Sequence, residues 1–113
     1  MIKIYHNNRC SKSRAGLKYL EDKGLEPQVV KYMDEAVSAS ELADVLRKLG
    51  MKPMELMRTK EEIFRTEYKG KDLSDQEWIE VMVANPKLIE RPIIVRGEKA
   101  VLARPTEKID ELL

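Results

Sequence analysis

The chain has 113 residues, 42% of them apolar and 36% charged, which suits one folded domain with its own core and excludes a disordered segment. Lys plus Arg number 21 and Asp plus Glu 20, so the net charge of +1 gives no general basis for binding nucleic acid or acidic lipid. One cysteine excludes an internal disulfide, one cysteine with one histidine speaks against a Cys/His zinc site, and no apolar run approaches the ~18 residues of a membrane span.

In chain order, Ile2 to Tyr5 reads as a short strand, and His6 to Arg9 as a polar loop leading to Cys10. A helix pattern runs from Ser11 to Lys23, with Gly24 where a helix-ending glycine belongs. Pro27 to Tyr32 gives a second strand around Val29 and Val30, so the first thirty residues form a βαβ unit with a parallel strand pair. Ser38-Ala39-Ser40-Glu41 has the form of a capping box, and Leu42, Val45, Leu46 and Leu49 follow at helical spacing up to Gly50. A short helix from Pro53 to Met57 and a helical stretch from Glu61 to Tyr68 come next. Ser74-Asp75-Gln76-Glu77 opens a further helix that runs through Ala84 and ends at Asn85-Pro86. Ile93 to Val95 and Lys99 to Ala103 form a hairpin around Arg96-Gly97-Glu98, and Pro105 starts a terminal helix that ends at Leu113. A parallel βαβ beside an antiparallel hairpin, with helices on both faces, is the α/β arrangement of thioredoxin-like, glutaredoxin-like folds. The expectation is one domain over residues 1–113, with a helical insertion of about 38–84 between its halves.

Cys10 carries the main chemical signal. A thiol between a strand and a helix N-terminus meets free backbone N–H groups and the positive end of the helix dipole, which favour its thiolate. Arg9, Lys12 and Arg14 add positive charge, and the same donors suit an oxyanion. A buried inert cysteine is the bland alternative, but polar and charged neighbours make poor core. A phosphatase loop would need arginine six residues after the cysteine, where Gly16 stands. A C-x-x-C dithiol would need a cysteine where Ser13 stands, so Cys10 requires an outside thiol to resolve a mixed disulfide. Ser13 could instead donate a hydrogen bond to the thiolate. His6, the sole histidine, could tune the thiol as a charged or hydrogen-bonding neighbour, or stand as an ordinary turn residue. Arg58 follows the short helix, while Arg91 and Arg104 each precede a proline at the edges of the hairpin. The order of elements puts Pro92 at the cis-proline position that faces the thiol in thioredoxin-type folds, with Arg91 near Cys10. Met51, Met54 and Met57 read as packing, and Glu61-Glu62 as solvated surface.

The motifs Ile4-Tyr5-His6-Asn7, Cys10 through Arg14, Leu56-Met57-Arg58, Asn85-Pro86, Ile89-Glu90-Arg91-Pro92-Ile93 and Arg104-Pro105 together resemble the glutathione- and glutaredoxin-dependent arsenate reductases of bacteria, nearly end to end. The resemblance implies a thioredoxin-like fold with a helical insertion. It implies that Cys10 attacks arsenate, that Arg58, Arg91 and Arg104 bind the oxyanion, and that His6 helps keep the thiol ionised. Ser13, Arg14 and Pro92 would support the site. Glutathione would be a co-substrate rather than a bound cofactor, glutaredoxin the protein partner, and no metal is implied. A cytoplasmic monomer that binds neither nucleic acid nor membrane is the expected form. Asn8 stands where members often carry proline, and Ser11-Lys12 replaces a Gly-Thr pair. Two alternatives remain: a thiol oxidoreductase of the same family with another substrate, and an Spx-type regulator that binds RNA polymerase. The latter usually begins with a C-x-x-C switch, which Ser13 breaks.

Overall fold

The computed structural model describes residues 1–113. They form two compact units, one of Met1–Ala36 with Arg91–Leu113 and one of Val37–Glu90.

The first unit holds all four strands: β1 (Ile2–Tyr5), β2 (Gln28–Val30), β3 (Ile93–Arg96) and β4 (Lys99–Leu102). Their order is β2-β1-β3-β4. β2 runs parallel to β1, with Ile4 opposite Val29, while β3 is antiparallel to both β1 and β4. The parallel pair is joined by α1 (Ser11–Asp22), as a βαβ crossover requires. Gly24 and Leu25 close α1 with N–H bonds back to Glu21 and Leu20, a Schellman ending. Arg96 pairs with Lys99, so the hairpin turn is Gly97-Glu98. Gly97 takes φ 63°, the sign that the first central position of a type II′ turn demands. The core joins Ile2, Ile4 and Ile94 of the sheet to Leu20 of α1 and to Ile109 and Leu112 of the C-terminal segment. This mixed α/β sheet with its crossover and hairpin is the thioredoxin-like arrangement expected from the sequence.

The terminal segment departs from a regular helix. Thr106–Leu112 is a 3₁₀ turn sequence after Pro105. At three residues per turn, Ile109 and Leu112 fall on one line and both are buried, so core packing suits the tighter winding.

The second unit contains α2 (Ala39–Leu49), α3 (Pro53–Leu56) and α4 (Asp75–Ala84). Ser38 and Ser74 cap α2 and α4, each accepting the backbone N–H three residues on. α4 packs against α2 and α3. The expected helix at 61–68 differs in form. Phe64–Tyr68 is a π-turn, in which the Lys69 N–H bonds the Phe64 carbonyl at 2.8 Å. Thr66 Oγ1 bonds back to the Glu62 carbonyl at 3.0 Å and competes for that acceptor. The widened turn lays Phe64 and Tyr68 against Trp78, with ring centroids 6.0 and 6.2 Å apart. Pro86–Leu88 adds a 3₁₀ turn after α4. Beyond it, Met57 and Ile89 form an isolated antiparallel bridge.

Candidate active site

The segment from His6 to Arg14 is tied to itself by hydrogen bonds. The Cys10 N–H donates to the Asn7 carbonyl at 3.0 Å, and the Arg9 N–H to Asn7 Oδ1 at 3.0 Å. Arg14 Nη1 reaches back to the Asn8 carbonyl at 2.9 Å. The loop thereby turns sharply out of β1 and delivers Cys10 to the N-cap of α1, in extended conformation.

Cys10 is 9% exposed and reduced. Burial by itself pushes the thiol up. The Ser13 backbone N–H, the Arg91 guanidinium (as hydrogen-bond donor and as charge) and the Lys12 backbone N–H outweigh burial, so the thiol lies below its ordinary range. The main-chain N–H groups of the first turn of α1 and the Arg91 side chain from the loop before β3 thus favour the thiolate.

Ser13 and His6 make a buried pair, 0% and 5% exposed. Ser13 Oγ lies 2.7 Å from His6 Nδ1 and accepts the Asn7 N–H at 2.9 Å. The Ser13 hydroxyl is engaged with His6 and Asn7, and the Ser13 main-chain N–H favours the thiolate. Burial and the charges of Lys31 and Arg14 lower the His6 pKa, and a hydrogen bond to the Ser13 main chain only partly opposes them. The ring is then neutral at pH 7, so it supplies no charge to the thiol. Ser13 Oγ accepts the Asn7 N–H and shares one proton with His6 Nδ1, as donor or acceptor according to the ring's tautomer. His6 meets the nucleophile through Ser13.

Arg91 and Arg104 meet at the hairpin's base. Arg104 Nε donates to the Arg91 carbonyl at 2.8 Å. Both arginines precede cis prolines, Pro92 and Pro105. Arg91 Nε is buried without a hydrogen-bond partner, a donor aimed at no protein acceptor. Gly16 lies against Pro92: a Cβ there would sit 2.9 Å from the proline Cγ. The glycine that replaces the phosphatase arginine is thus a close-approach position for the proline.

The structure brings Cys10, Ser13, His6, Arg14, Arg91, Pro92 and Arg104 together in the first unit. Arg58 stands in the second, paired with Glu61 at 3.1 Å and Glu90 at 3.2 Å. Glu61 was expected on the solvated surface, but it is half-buried against Arg58. Its position three residues after Arg58 was the available signal. Glu90 gave none, since its pairing depends on the Met57–Ile89 bridge. A cavity of about 360 Å³ flanks the loop, lined by His6, Asn7, Asn8 and Arg9 and by Lys31, Met33 and Asp34 after β2. No group of three or more His, Cys, Asp or Glu side chains is placed to hold a metal ion, and no helix is long and apolar enough to cross a membrane.

The ArsC family profile matches residues 5–112. The chain is 46% identical over 114 residues to YfgD of Escherichia coli K12, covering 99% of this chain and 96% of that one. It is 40% identical over 112 residues to an arsenate reductase of Haemophilus influenzae, covering 97% of each. The structure of an arsenate reductase from Vibrio cholerae superposes with a TM-score of 0.95 at 42% identity, covering 99% of this chain and 97% of the other.

Proposed function

The chain belongs to the ArsC family, and from that premise we propose that it is an arsenate reductase that uses glutathione and glutaredoxin, with Cys10 as the nucleophile. The placement of Cys10 at the N-cap of α1, with the Arg91 guanidinium favouring its thiolate, is the observation that carries this proposal. The thiolate attacks arsenic and expels hydroxide or water. Arg91, with its unpartnered Nε, and Arg104, fixed on the Arg91 carbonyl, stabilise the charge of the thiol–arsenic adduct. Arg58 is the third guanidinium that the family resemblance assigns to the oxyanion. Glutathione then attacks the adduct. Two electrons pass to arsenic, arsenite leaves, and the two sulfurs remain as a Cys10–glutathione disulfide. Since the chain has one cysteine, the disulfide is cleared by glutaredoxin and a second glutathione.

His6 and Ser13 act as positioning residues in this scheme. They hold the loop so that the Ser13 and Lys12 N–H groups face the sulfur. The cavity beside the loop suits glutathione: Arg9 and Lys31 match its carboxylates and Asp34 its ammonium group. The enzyme works as a monomer in a reducing cytoplasm, with no bound cofactor.

The test is a stalled turnover. Protein incubated with arsenate and glutathione, without glutaredoxin, is expected to carry one glutathione on Cys10 by intact mass, and glutaredoxin is expected to remove it. An unmodified Cys10 after arsenite release, or restoration by thioredoxin alone, would overturn the glutathione route.

A further inference from the structure

The second unit carries a basic cavity of its own. It measures about 430 Å³ and is lined by Thr59, Lys60, Phe64, Arg65 and Lys69. That volume falls in the range of small-molecule pockets, about 300–1,000 Å³. Lys60, Arg65 and Lys69 are cations, and no carboxylate lines the cavity.

The sequence does not display this excess. Residues 59–69 set Lys60, Arg65 and Lys69 against Glu61, Glu62 and Glu67, a balanced set. The fold sorts them. The Glu61 carboxylate turns to Arg58, 3.1 Å from its Nη1, and the exposed Glu62 and Glu67 stand outside the cavity lining. Lys60, Arg65 and Lys69 make no ion pair and no side-chain hydrogen bond. Three cations around one cavity repel one another, and a shared anion relieves that repulsion.

The π-turn supplies the frame. The Lys69 N–H bond to the Phe64 carbonyl, at 2.8 Å, closes a turn one residue wider than an α-turn between two of the lining residues. Insertions of this kind are frequent at functional sites. Phe64 is 8% exposed and its ring packs against Trp78, with centroids 6.0 Å apart, so the turn is anchored in the second unit's core. Phe64 and the methylene stems of the lysines give the cavity an apolar wall beside its charges. A bare oxyanion would use the charges but not that wall.

We infer that this cavity binds a small phosphate monoester with an aromatic or apolar body. Lys60, Arg65 and Lys69 take the dianion, the Thr59 hydroxyl offers a donor, and Phe64 with the lysine stems holds the body. The inference is independent of the reaction at Cys10.

The experiment is calorimetric titration of the full chain with phenyl phosphate and with inorganic phosphate, at a pH about two units above the ~6 of a phosphate monoester's second ionisation. Emission of Trp78, the sole tryptophan, is read in parallel because its ring meets Phe64. Phenyl phosphate is expected to bind with a Kd at or below about 1 mM, about tenfold more tightly than inorganic phosphate, and to change the emission. An Arg65→Gln/Lys69→Gln variant is expected to bind it about tenfold more weakly and Lys60→Gln about threefold more weakly. These side chains are exposed, so the variants should fold. Lys71→Gln removes a nearby cation that sits over Tyr68 and outside the cavity lining, and it should bind as the wild type does. Arg91→Ala should also retain the emission change. Absence of saturable binding, equal affinity for inorganic phosphate, an unmoved affinity in Arg65→Gln/Lys69→Gln, or an equal loss in Lys71→Gln or Arg91→Ala would overturn the inference.

Discussion

Replacing Ser13 with alanine separates its two roles. The hydroxyl is fully buried and serves two partners, His6 Nδ1 at 2.7 Å and the Asn7 N–H at 2.9 Å. Alanine leaves a buried ring nitrogen and a half-buried amide without that partner. At ~1–3 kcal/mol for each polar group left unsatisfied, with the amide partly rescued by water, the loss of stability should be about 2–4 kcal/mol. The backbone N–H of Ser13 remains, and it is that N–H, not the hydroxyl, which faces the Cys10 sulfur. Urea unfolding should therefore show a lower midpoint at unchanged slope. The rate of Cys10 alkylation against pH should still report a thiol below the ordinary ~8.5 of free cysteine. A stable variant whose thiol returns to the ordinary value would refute this division, since it would mean that the hydroxyl serves the thiolate directly.

Arg91→Ala removes a hydrogen bond and a charge from the thiolate, so the alkylation midpoint should rise; arsenate turnover should fall by about 10²–10³, the usual loss of one oxyanion donor. An unmoved midpoint would show that Arg91 does not face the sulfur. Gly16→Ala places a Cβ 2.9 Å from Pro92 Cγ. Overpacking of ~1–3 kcal/mol should outweigh the helix gain of ~1 kcal/mol, a net loss visible in thermal unfolding, whereas a more stable variant would show that the proline yields freely. His6 has a folded pKa below its ordinary 6.5, so the unfolded chain takes up the proton first. Stability from this group is complete above pH ~6.5 and is lost as pH falls toward the folded value. Urea midpoints measured across pH 7 to 5 should fall more steeply for the wild type than for His6→Gln; parallel slopes would contradict a buried neutral ring. Lys31→Glu should raise the KM for glutathione and leave that for arsenate unchanged, and equal changes in both would remove the cavity as the glutathione site.

Local signals made most of the fold legible. The capping serines at 38 and 74 and the glycines at 24, 50 and 97 mark element ends through short-range hydrogen bonds and backbone sign, which a linear sequence displays. The π-turn at Phe64–Tyr68 and the 3₁₀ winding at Thr106–Leu112 were not legible, because each depends on where Trp78 or the sheet core lies. The same division holds in the site. Cys10 could be placed at a helix N-terminus from its neighbours alone. The His6–Ser13 contact spans seven residues across a sharp loop, and the Arg58–Glu90 pair depends on a bridge between distant segments. Residue chemistry proposed the participants, and tertiary packing decided which groups met.

The most direct test of Cys10 as the nucleophile is arsenate-dependent NADPH oxidation, coupled through glutathione, glutaredoxin and glutathione reductase, with Cys10→Ser measured alongside. Turnover that requires arsenate, glutathione and the Cys10 thiol is the predicted result. Turnover retained by Cys10→Ser, or none in a wild type whose thiol still alkylates rapidly, would contradict it.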